Sequence, residues 1–190
     1  MTGPDVFIDG ERVEFSGAAP DGLENLLAAV SPVLAESGRL VASVEVPGRG
    51  VVQELSAADF AAAPRIDLLT VSMAEAISHV AKDNAVRIAA ALDAADRLAG
   101  DVMRVAWTDG QTRCRDLAGQ LGRVAEDATG MPQEAALVEV LGAFAVALDR
   151  WMDAVQAGEA AQVCLRLDQE IIPVLRRLRS AVDALAGGAG

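Results

Sequence analysis

Three side chains that could ligate a metal ion lie four residues apart along the sequence: Glu75, His79 and Asp83. In an α-helix this spacing places all three on one face. Di-metal sites in helical bundles pair Glu-x-x-His motifs on two helices with further carboxylates, and this sequence contains no Glu-x-x-His. We therefore favour a solvated face with charge pairing between neighbouring turns. The alternative is a metal or small-ligand site, or an enzyme, built on carboxylates and His79.

Motifs of common catalytic sites do not occur in the sequence. It contains no glycine-rich nucleotide loop, no HExxH and no GxSxG. It has one histidine and no tyrosine, so a serine–histidine–aspartate triad would have to use His79. The adjacent Ser78 points away from His79 on a helix, which argues against such a triad. We lean towards a non-catalytic protein, and we expect no cofactor.

Asn84 is a candidate for partner binding because it interrupts an apolar stripe. It falls between Ala81 and Ile88, where helical spacing calls for an apolar residue. A buried asparagine must be hydrogen-bonded, and such a residue can fix the register of packed helices. We favour this structural or interface-register role over contact with a ligand.

Arg176, Arg177 and Arg179 cluster near the end of the last predicted helix. Cations at a helix C-terminus offset the helix dipole, and this is the simpler interpretation. The alternative is a docking patch for an acidic partner or a phosphate. Trp107 and Trp151 could stack on a ligand, but in a chain this poor in aromatic residues we expect them to fill the core.

The charge of the chain limits the classes of partner. The formal net charge is −12, from 28 acidic and 16 basic residues. A nucleic-acid backbone would be repelled, so we expect no nucleic-acid partner. The charge-free windows 25–35 and 140–148 are shorter than the roughly 18 residues of a spanning helix, so we expect no membrane partner either.

The expected compartment follows from the N-terminus and the cysteines. The first five residues have neither the basic nor the apolar region of a secretory signal, and we therefore expect a cytoplasmic protein. Cys114 and Cys164 form no CxxC motif. In such a compartment we expect them to be buried thiols rather than a disulfide.

The elements that position these residues change in kind near Thr70. Before this point, short apolar runs alternate with period two, and after it apolar residues recur every three or four positions. We predict an α+β protein with a β-rich head over 1–71, a helical body over 72–187 and a flexible tail over 188–190. Ser72 and Glu75 fit a capping box that opens the first helix of the body.

The head is predicted from its turns. Asp9-Gly10 between two apolar runs predicts a hairpin, and a helix follows over 23–34, with Asp21 as its N-cap, a kink or break at Pro32 and Gly38 as its C′ residue. Strands are predicted at 40–46, 51–55 and 66–71. The element order ββαβββ over residues 5–71 resembles the β-grasp, or ubiquitin-like, fold. That resemblance implies a helix laid across a sheet of returning strands.

Proline and glycine divide the body. Gly100 interrupts the first stripe, which is predicted to continue through Val105 to about Gly110. Pro132 is predicted in the first turn of a later helix, and Pro173 is predicted to kink the last one. Short loops between long helices predict an antiparallel bundle of about four helices.

We interpret the chain as a non-catalytic interaction module of the adaptor, assembly or chaperone-like kind. A sheet edge in the head and apolar grooves between the helices would contact another protein, or a second copy in a homo-oligomer. A strand-rich head with a helical body also resembles small bacterial chaperones of flagellar and secretion systems. The stripes between Trp151 and Leu185 carry that resemblance.

Overall fold

The computed structural model describes residues 3–17, 19–102 and 107–187. The protein is α+β, with a five-strand mixed sheet at the N-terminus followed by helices, as the change of periodicity predicts. The chain divides into two compact units, Met1–Ala76 and Ile77–Gly190. The predicted tail at 188–190 and the predicted stripe position Val105 lie outside the described residues.

The first unit contains five strands and two complete helices. In chain order they are β1 (Asp5–Ile8), β2 (Glu11–Arg12), α1 (Leu23–Glu36), β3 (Arg39–Val46), β4 (Gly50–Val52), α2 (Ala57–Ala62) and β5 (Arg65–Ser72). The strand order across the sheet is β2-β1-β5-β3-β4, so β2 and β4 are its edges. The first and last strands, β1 and β5, pair in parallel, and the other neighbours are antiparallel.

The predicted hairpin is confirmed at Asp9-Gly10. Both residues have positive φ, 50° and 87°, as a type I′ turn requires. The Asp9 carboxylate accepts hydrogen bonds from the Thr70 backbone N–H at 2.9 Å and the Thr70 hydroxyl at 2.6 Å. It also pairs with Arg39 at 2.9 Å. The turn is therefore tied to the central strand, β5, and to its neighbour β3.

We expect this network to make the stability of the first unit depend on pH in the acid range. The hydrogen bonds from Thr70 lower the pKa of the Asp9 carboxyl, and the charge of Arg39 adds to the effect. Because the folded pKa is depressed, the stabilisation is complete above the ordinary carboxyl pKa and is lost as the pH falls through the folded value. Asp9→Asn keeps a residue that tolerates positive φ but removes the titrating carboxyl. We therefore expect the stability of this variant to fall less than that of the wild type as the pH is lowered.

The measurement is the urea concentration at which the strands are half unfolded. Amide exchange of the strand residues reports it, at a series of pH values from neutral downwards. The matched control is Glu11→Gln, an exposed acid in the adjacent strand. If the urea midpoint falls equally with decreasing pH in the wild type and in Asp9→Asn, the Asp9 network does not contribute to the stability.

The core of the first unit lies between the sheet and the two helices. Its buried apolar residues come from the strands β1, β3 and β5, from α1, and from α2 and the residue that follows it: Val6, Leu23, Leu26, Val30, Leu34, Val44, Val46, Phe60, Ala63, Ile66 and Leu68. The α1 residues among them recur at helical spacing, and those of β5 alternate. The periodicities that predict the elements therefore also place the core.

For α1, the predicted N-cap is wrong and the predicted C′ glycine is confirmed, while at Pro32 there is no break. Gly22, not Asp21, is the N-cap; the Asp21 carboxylate instead accepts from the Asn25 amide at 2.6 Å. The helix continues through Pro32 without a break. Pro32 has no N–H to donate to the Ala28 carbonyl. Both residues are exposed, so water can donate to that carbonyl instead. Gly38 has φ 68° and follows the helix as predicted.

A bulge at Ala42 interrupts the strict alternation of faces that a regular strand would have over the predicted range 40–46. Val41 pairs with Thr70 and Ser43 with Leu69, so one extra residue stands between them. The bulge shifts the alternation, and therefore Val41 rather than Leu40 packs against the core. The helix α2 was not predicted. Ser56 caps it by accepting a hydrogen bond from the Asp59 N–H at 3.2 Å.

Long helices make up the second unit. They are α3 (Met73–Asp101), which begins in the first unit, then α4 (Trp107–Thr129), α5 (Ala135–Ala157), α6 (Ala160–Arg166) and α7 (Ile172–Gly187). A π-helical segment, Leu167–Ile171, joins α6 to α7. No helix in the described part of the chain is long and apolar enough to cross a membrane.

Ion pairs fix the directions of neighbouring helices. Arg113 near the start of α4 pairs with Asp101 at the end of α3, and Arg87 pairs with Asp127 near the end of α4. These contacts require α3 and α4 to be antiparallel. In the same way, Arg177 of α7 pairs with Glu139 at the start of α5. Arg150, in the later part of α5, pairs with Glu170 of the π-helical segment that precedes α7. The helices α5 and α7 are therefore antiparallel too.

Two helix boundaries differ from the expectations, and the backbone before Pro173 is π-helical. A new helix begins at Trp107, so the predicted end near Gly110 is wrong. Pro132 precedes Glu134, the N-cap of α5, and is therefore outside its first turn. At Pro173 the chain forms a π turn, in which the Ile172 N–H donates to the Leu167 carbonyl five residues back. The wider turn accommodates the ring, which cannot follow a regular helical turn.

Candidate functional site

The three candidate metal ligands do not converge in the structure. The Glu75 carboxylate accepts hydrogen bonds from the Ser72 N–H at 3.0 Å and the Ser72 hydroxyl at 2.8 Å, while Ser72 Oγ accepts from the Glu75 N–H at 3.1 Å. This confirms the predicted capping box, and it lowers the pKa of Glu75. His79 and Asp83 are exposed on α3. Within the described ranges, no group of three or more such side chains could hold a metal.

Asn84 lies where the interrupted stripe predicts. It is buried, with 4% of its surface exposed, and so are its stripe neighbours Ala81 and Ile88. Among the residues that the structure describes, it is the one polar side chain in the buried set. Its role in helix register stays a prediction.

The three candidate arginines of α7 have different surroundings. Arg179 pairs along its own helix with Asp183 at 3.7 Å. Arg176 is exposed. Arg177 instead reaches across to Glu139 of α5, with Nη2 and Oε1 2.9 Å apart, and lines a groove between the two helices. The structure therefore singles out Arg177 among the three.

The groove has a volume of about 520 Å³ and runs between α5 and the segment from Gln169 to Arg177. We call it the α5–α7 groove. The α5 side is formed by Gly142, Ala143, Val146, Ala147 and Arg150. Four of these residues are small or apolar, and Val146 is 51% exposed. The α5 side of the groove is therefore low and carries few bulky side chains.

The other side of the groove carries the irregular backbone. Gln169 and Glu170 belong to the π-helical segment, and Pro173, Val174 and Arg177 follow it. π turns are rare and occur often at functional sites, because the extra residue redirects side chains on one helix face. Here the π turn places a carboxylate and a proline ring along the same groove.

Arginine–glutamate pairs mark the two ends of the groove. At one end Arg177 pairs with Glu139. At the other, Arg150 lies 3.8 Å from Glu170, which also accepts from Arg166 at 3.1 Å. Glu170 and Arg177 are seven positions apart in the sequence, and their partners Arg150 and Glu139 are eleven positions apart on α5.

Both end pairs are exposed enough to exchange partners. The side chains of Arg150 and Arg177 are 61% and 54% exposed, and that of Glu139 is 75% exposed. Ion pairs of this kind contribute about 0–1 kcal/mol because water screens them and the side chains lose freedom. Each guanidinium also has five N–H donors, so an incoming carboxylate could bind without expelling the resident one.

Two buried donors lie close to this region in sequence. Trp151 Nε1 and Arg166 Nε have no hydrogen-bond partner among the described residues. Trp151 follows Arg150 on α5, and Arg166 immediately precedes the π-helical segment. Cys114 and Cys164 are free thiols, and burial raises the pKa of Cys114 to about 11, which makes it a poor nucleophile.

Most of the groove residues carry no signal in the sequence. Pro173 is predicted only as a kink, and Arg177 only as part of a helix-end cluster. On α5, Gly142, Ala143, Val146 and Ala147 form a face of small residues beside Arg150. That face became informative only once α7 was known to lie opposite it.

No protein-family model, no curated protein and no solved structure matches this chain. What the chain does is therefore inferred from its own residues. Two features of the described residues enter that inference: the lining of the α5–α7 groove and the two edges of the sheet.

Proposed function

We propose that the protein is a non-catalytic protein–protein interaction module of the adaptor, assembly or chaperone-like kind. Its main docking surface is the α5–α7 groove, which receives an α-helix of the partner. The observation that carries this proposal is the combination of a small-residue floor, an exposed Val146 and an arginine at each end. An amphipathic helix laid in a groove uses apolar anchors of this size between charged ends.

The proposal includes the finer architecture. We propose a β-grasp head, supported by the opening hairpin, the packing of α1 on the sheet and the return of β5 beside β1. We propose a four-helix up-and-down bundle for the body, supported by the antiparallel pairs α3/α4 and α5/α7. The edges β2 and β4 are secondary surfaces at which an extended segment could add a strand.

A cytoplasmic setting is also part of the proposal. The free thiols of Cys114 and Cys164 support it, since cysteines stay reduced in that compartment. An interaction module needs neither a cofactor nor a catalytic group, so the proposal asks only for shape and charge in the groove.

Site-specific cross-linking tests the docking surface. A photoreactive residue at Val146 is expected to capture one defined partner in cells that contain the protein. The matched control is a photoreactive residue at Val86, a valine of α3 that is 70% exposed and does not line the α5–α7 groove. Equal capture from both positions, or none from Val146, would contradict the proposal.

A groove-filling variant makes the same test sharper. A Cβ added at Gly142 would meet nothing within 4 Å, so Gly142→Phe should project into the groove without disturbing the helix. We expect it to abolish the Val146 cross-link. Gly142→Ala raises helix propensity by about 0.8–1 kcal/mol and should leave the cross-link intact. Gly119→Phe, at an exposed glycine of α4, controls for an added aromatic ring.

A further inference from the structure

We infer that the α5–α7 groove receives α5 of a second copy of this chain, antiparallel to its own α5 about a two-fold axis. This inference rests on the proposed docking function and names the partner. Two properties of α5 carry it: one of its faces has the same spacing in both directions, and the two ends of that face have opposite charges.

The face in question runs through Glu139, Ala143, Val146 and Arg150. These residues follow one another at intervals of four, three and four positions, and such intervals keep them on one side of a helix. The midpoint between Glu139 and Arg150 is also the midpoint between Ala143 and Val146. A two-fold axis at that midpoint therefore places Ala143 of one copy opposite Val146 of the other, and the contact is the same on both copies.

The charges at the ends of this face select the antiparallel orientation. Antiparallel pairing places Glu139 of each copy opposite Arg150 of the other, which gives two attractive contacts in each dimer. A parallel pair in the same register would oppose like charges at both ends, which costs energy. Glu139 and Arg150 are eleven positions apart in both copies, about 16 Å at 1.5 Å per residue. The two contacts therefore fit the same register.

The resident ion pairs of the groove complete the charge pattern at each end. Glu139 pairs with Arg177 of its own chain, and Arg150 pairs with Glu170. Each end of the dimer would bring the first pair of one copy beside the second pair of the other. Two arginines and two glutamates with alternating signs then meet, and their charges cancel. The contact therefore adds no like-charge repulsion to that between two chains of net charge −12.

The middle of the face allows two helices to approach closely. Gly142 is exposed, and a Cβ added there would meet nothing within 4 Å. Val146 is exposed and is the largest apolar side chain that α5 contributes to the groove. Ala143, half-buried, leaves room for Val146 of the second copy. Packed helices lie about 8–10 Å apart, and small residues at the contact favour the shorter distance.

The test is sedimentation velocity of the intact protein over a concentration series. We expect the wild type to form a dimer, and a monomer at every concentration would overturn the inference. Glu139→Arg and Arg150→Glu each replace two attractive contacts with two repulsive ones, so each should raise the dimer dissociation constant at least about tenfold. Glu126→Arg and Arg115→Glu, at exposed positions of α4, make the same changes in net charge and should leave the constant unchanged.

Mixing the two reversed variants tests the antiparallel register. A dimer of Glu139→Arg with Arg150→Glu has arginine opposite glutamate at both ends, so its dissociation constant should return to within about threefold of the wild-type value. A fluorescent label on one variant identifies the mixed dimer. Mixing does not restore the pairs with Arg177 and Glu170 that each variant loses within its own chain, so recovery can come only from contact between copies. No recovery on mixing would overturn the inference.

Neutral variants keep the test valid if a charge reversal prevents folding. Glu139→Gln and Arg150→Gln remove the attraction without adding repulsion, so each should weaken the dimer by a smaller factor. Their mixed dimer keeps one glutamate–arginine contact, and we expect its dissociation constant to lie between those of the wild type and of either variant. A dimer that none of these substitutions weakens would overturn the inference.

The outcomes distinguish this inference from the docking proposal. If the protein is a monomer while a different protein is captured at Val146, and Gly142→Phe blocks that capture, the groove is a docking surface but its occupant is not a second copy. If a dimer shows the charge rescue and Gly142→Phe dissolves it, both are supported. A dimer that persists in Gly142→Phe would place the contact elsewhere and overturn the inference. A monomer with no capture at Val146 would contradict both.

Discussion

Replacing Trp151 with alanine is expected to lower the free energy of unfolding of the helical unit by about 3–5 kcal/mol. The indole is among the largest fully buried side chains, in one cluster with Phe144, Val155 and Leu167. Its removal loses the transfer free energy of the ring and leaves a cavity that rigid helices fill only in part. The measurement is the shift in urea midpoint, read from the helix signal.

Trp151→Phe separates the packing of the ring from the contribution of the indole N–H. The indole N–H has no partner among the described residues, so a phenyl ring keeps most of the packing and removes an unsatisfied donor. We expect a cost no larger than about 1.5 kcal/mol, typical of a modest change in core volume. The remaining Trp107 reports unfolding by fluorescence in both variants. A loss equal to that of Trp151→Ala would mean that the indole nitrogen has a bound partner.

Phe60→Ala is expected to destabilise the first unit by about 3–5 kcal/mol. Phe60 is the buried residue of α2, and its ring belongs to the core that Leu26, Ile66 and Leu68 also form. A unit of this size has a total stability of only several kcal/mol, so we expect the variant to unfold this unit in part at ordinary temperature. Amide exchange in β5 measures the loss directly.

Phe60→Leu and Ala61→Gly complete the series. Leucine should retain about half of the stability lost in Phe60→Ala, because it keeps an apolar group in the site. Ala61 is exposed on the same short helix, and glycine there tests helix propensity alone, at about 1 kcal/mol. If Phe60→Ala costs no more than Ala61→Gly, α2 does not pack as described.

Local patterns predicted most elements of the fold because they act over a few residues. The Asp9-Gly10 turn, the Ser72–Glu75 capping box and the glycine after α1 each depend on neighbours within four positions. The stripe of α3 is also local, since burial follows the helical period. These features were correct for the reasons that predicted them.

The predictions fail where tertiary contacts or exposure to solvent determine which of several local conformations forms. Asp21 could have capped α1, but its carboxylate took the Asn25 amide instead. Pro32 was tolerated because its surroundings are exposed, while Pro173 produced a π turn in a packed segment. The bulge at Ala42 depends on the pairing of β3 with β5, which no pattern within β3 contains.

The candidate site was harder to predict than the fold. Arg177 was named, but its partner Glu139 and its counterpart Arg150 come from a helix more than twenty residues away in sequence. Glycine and alanine on α5 have no chemical signature of their own. Their meaning depends on the antiparallel neighbour, and that neighbour is known only from the structure.

Amide hydrogen exchange of the chain, alone and with the partner captured at Val146, tests the docking proposal most directly. We expect slower exchange in two segments, residues 142–150 of α5 and residues 169–177 around the π turn, with the strands of the first unit unchanged. Protection confined to the sheet edges β2 and β4, or spread evenly over the helices, would contradict a docking surface in the α5–α7 groove.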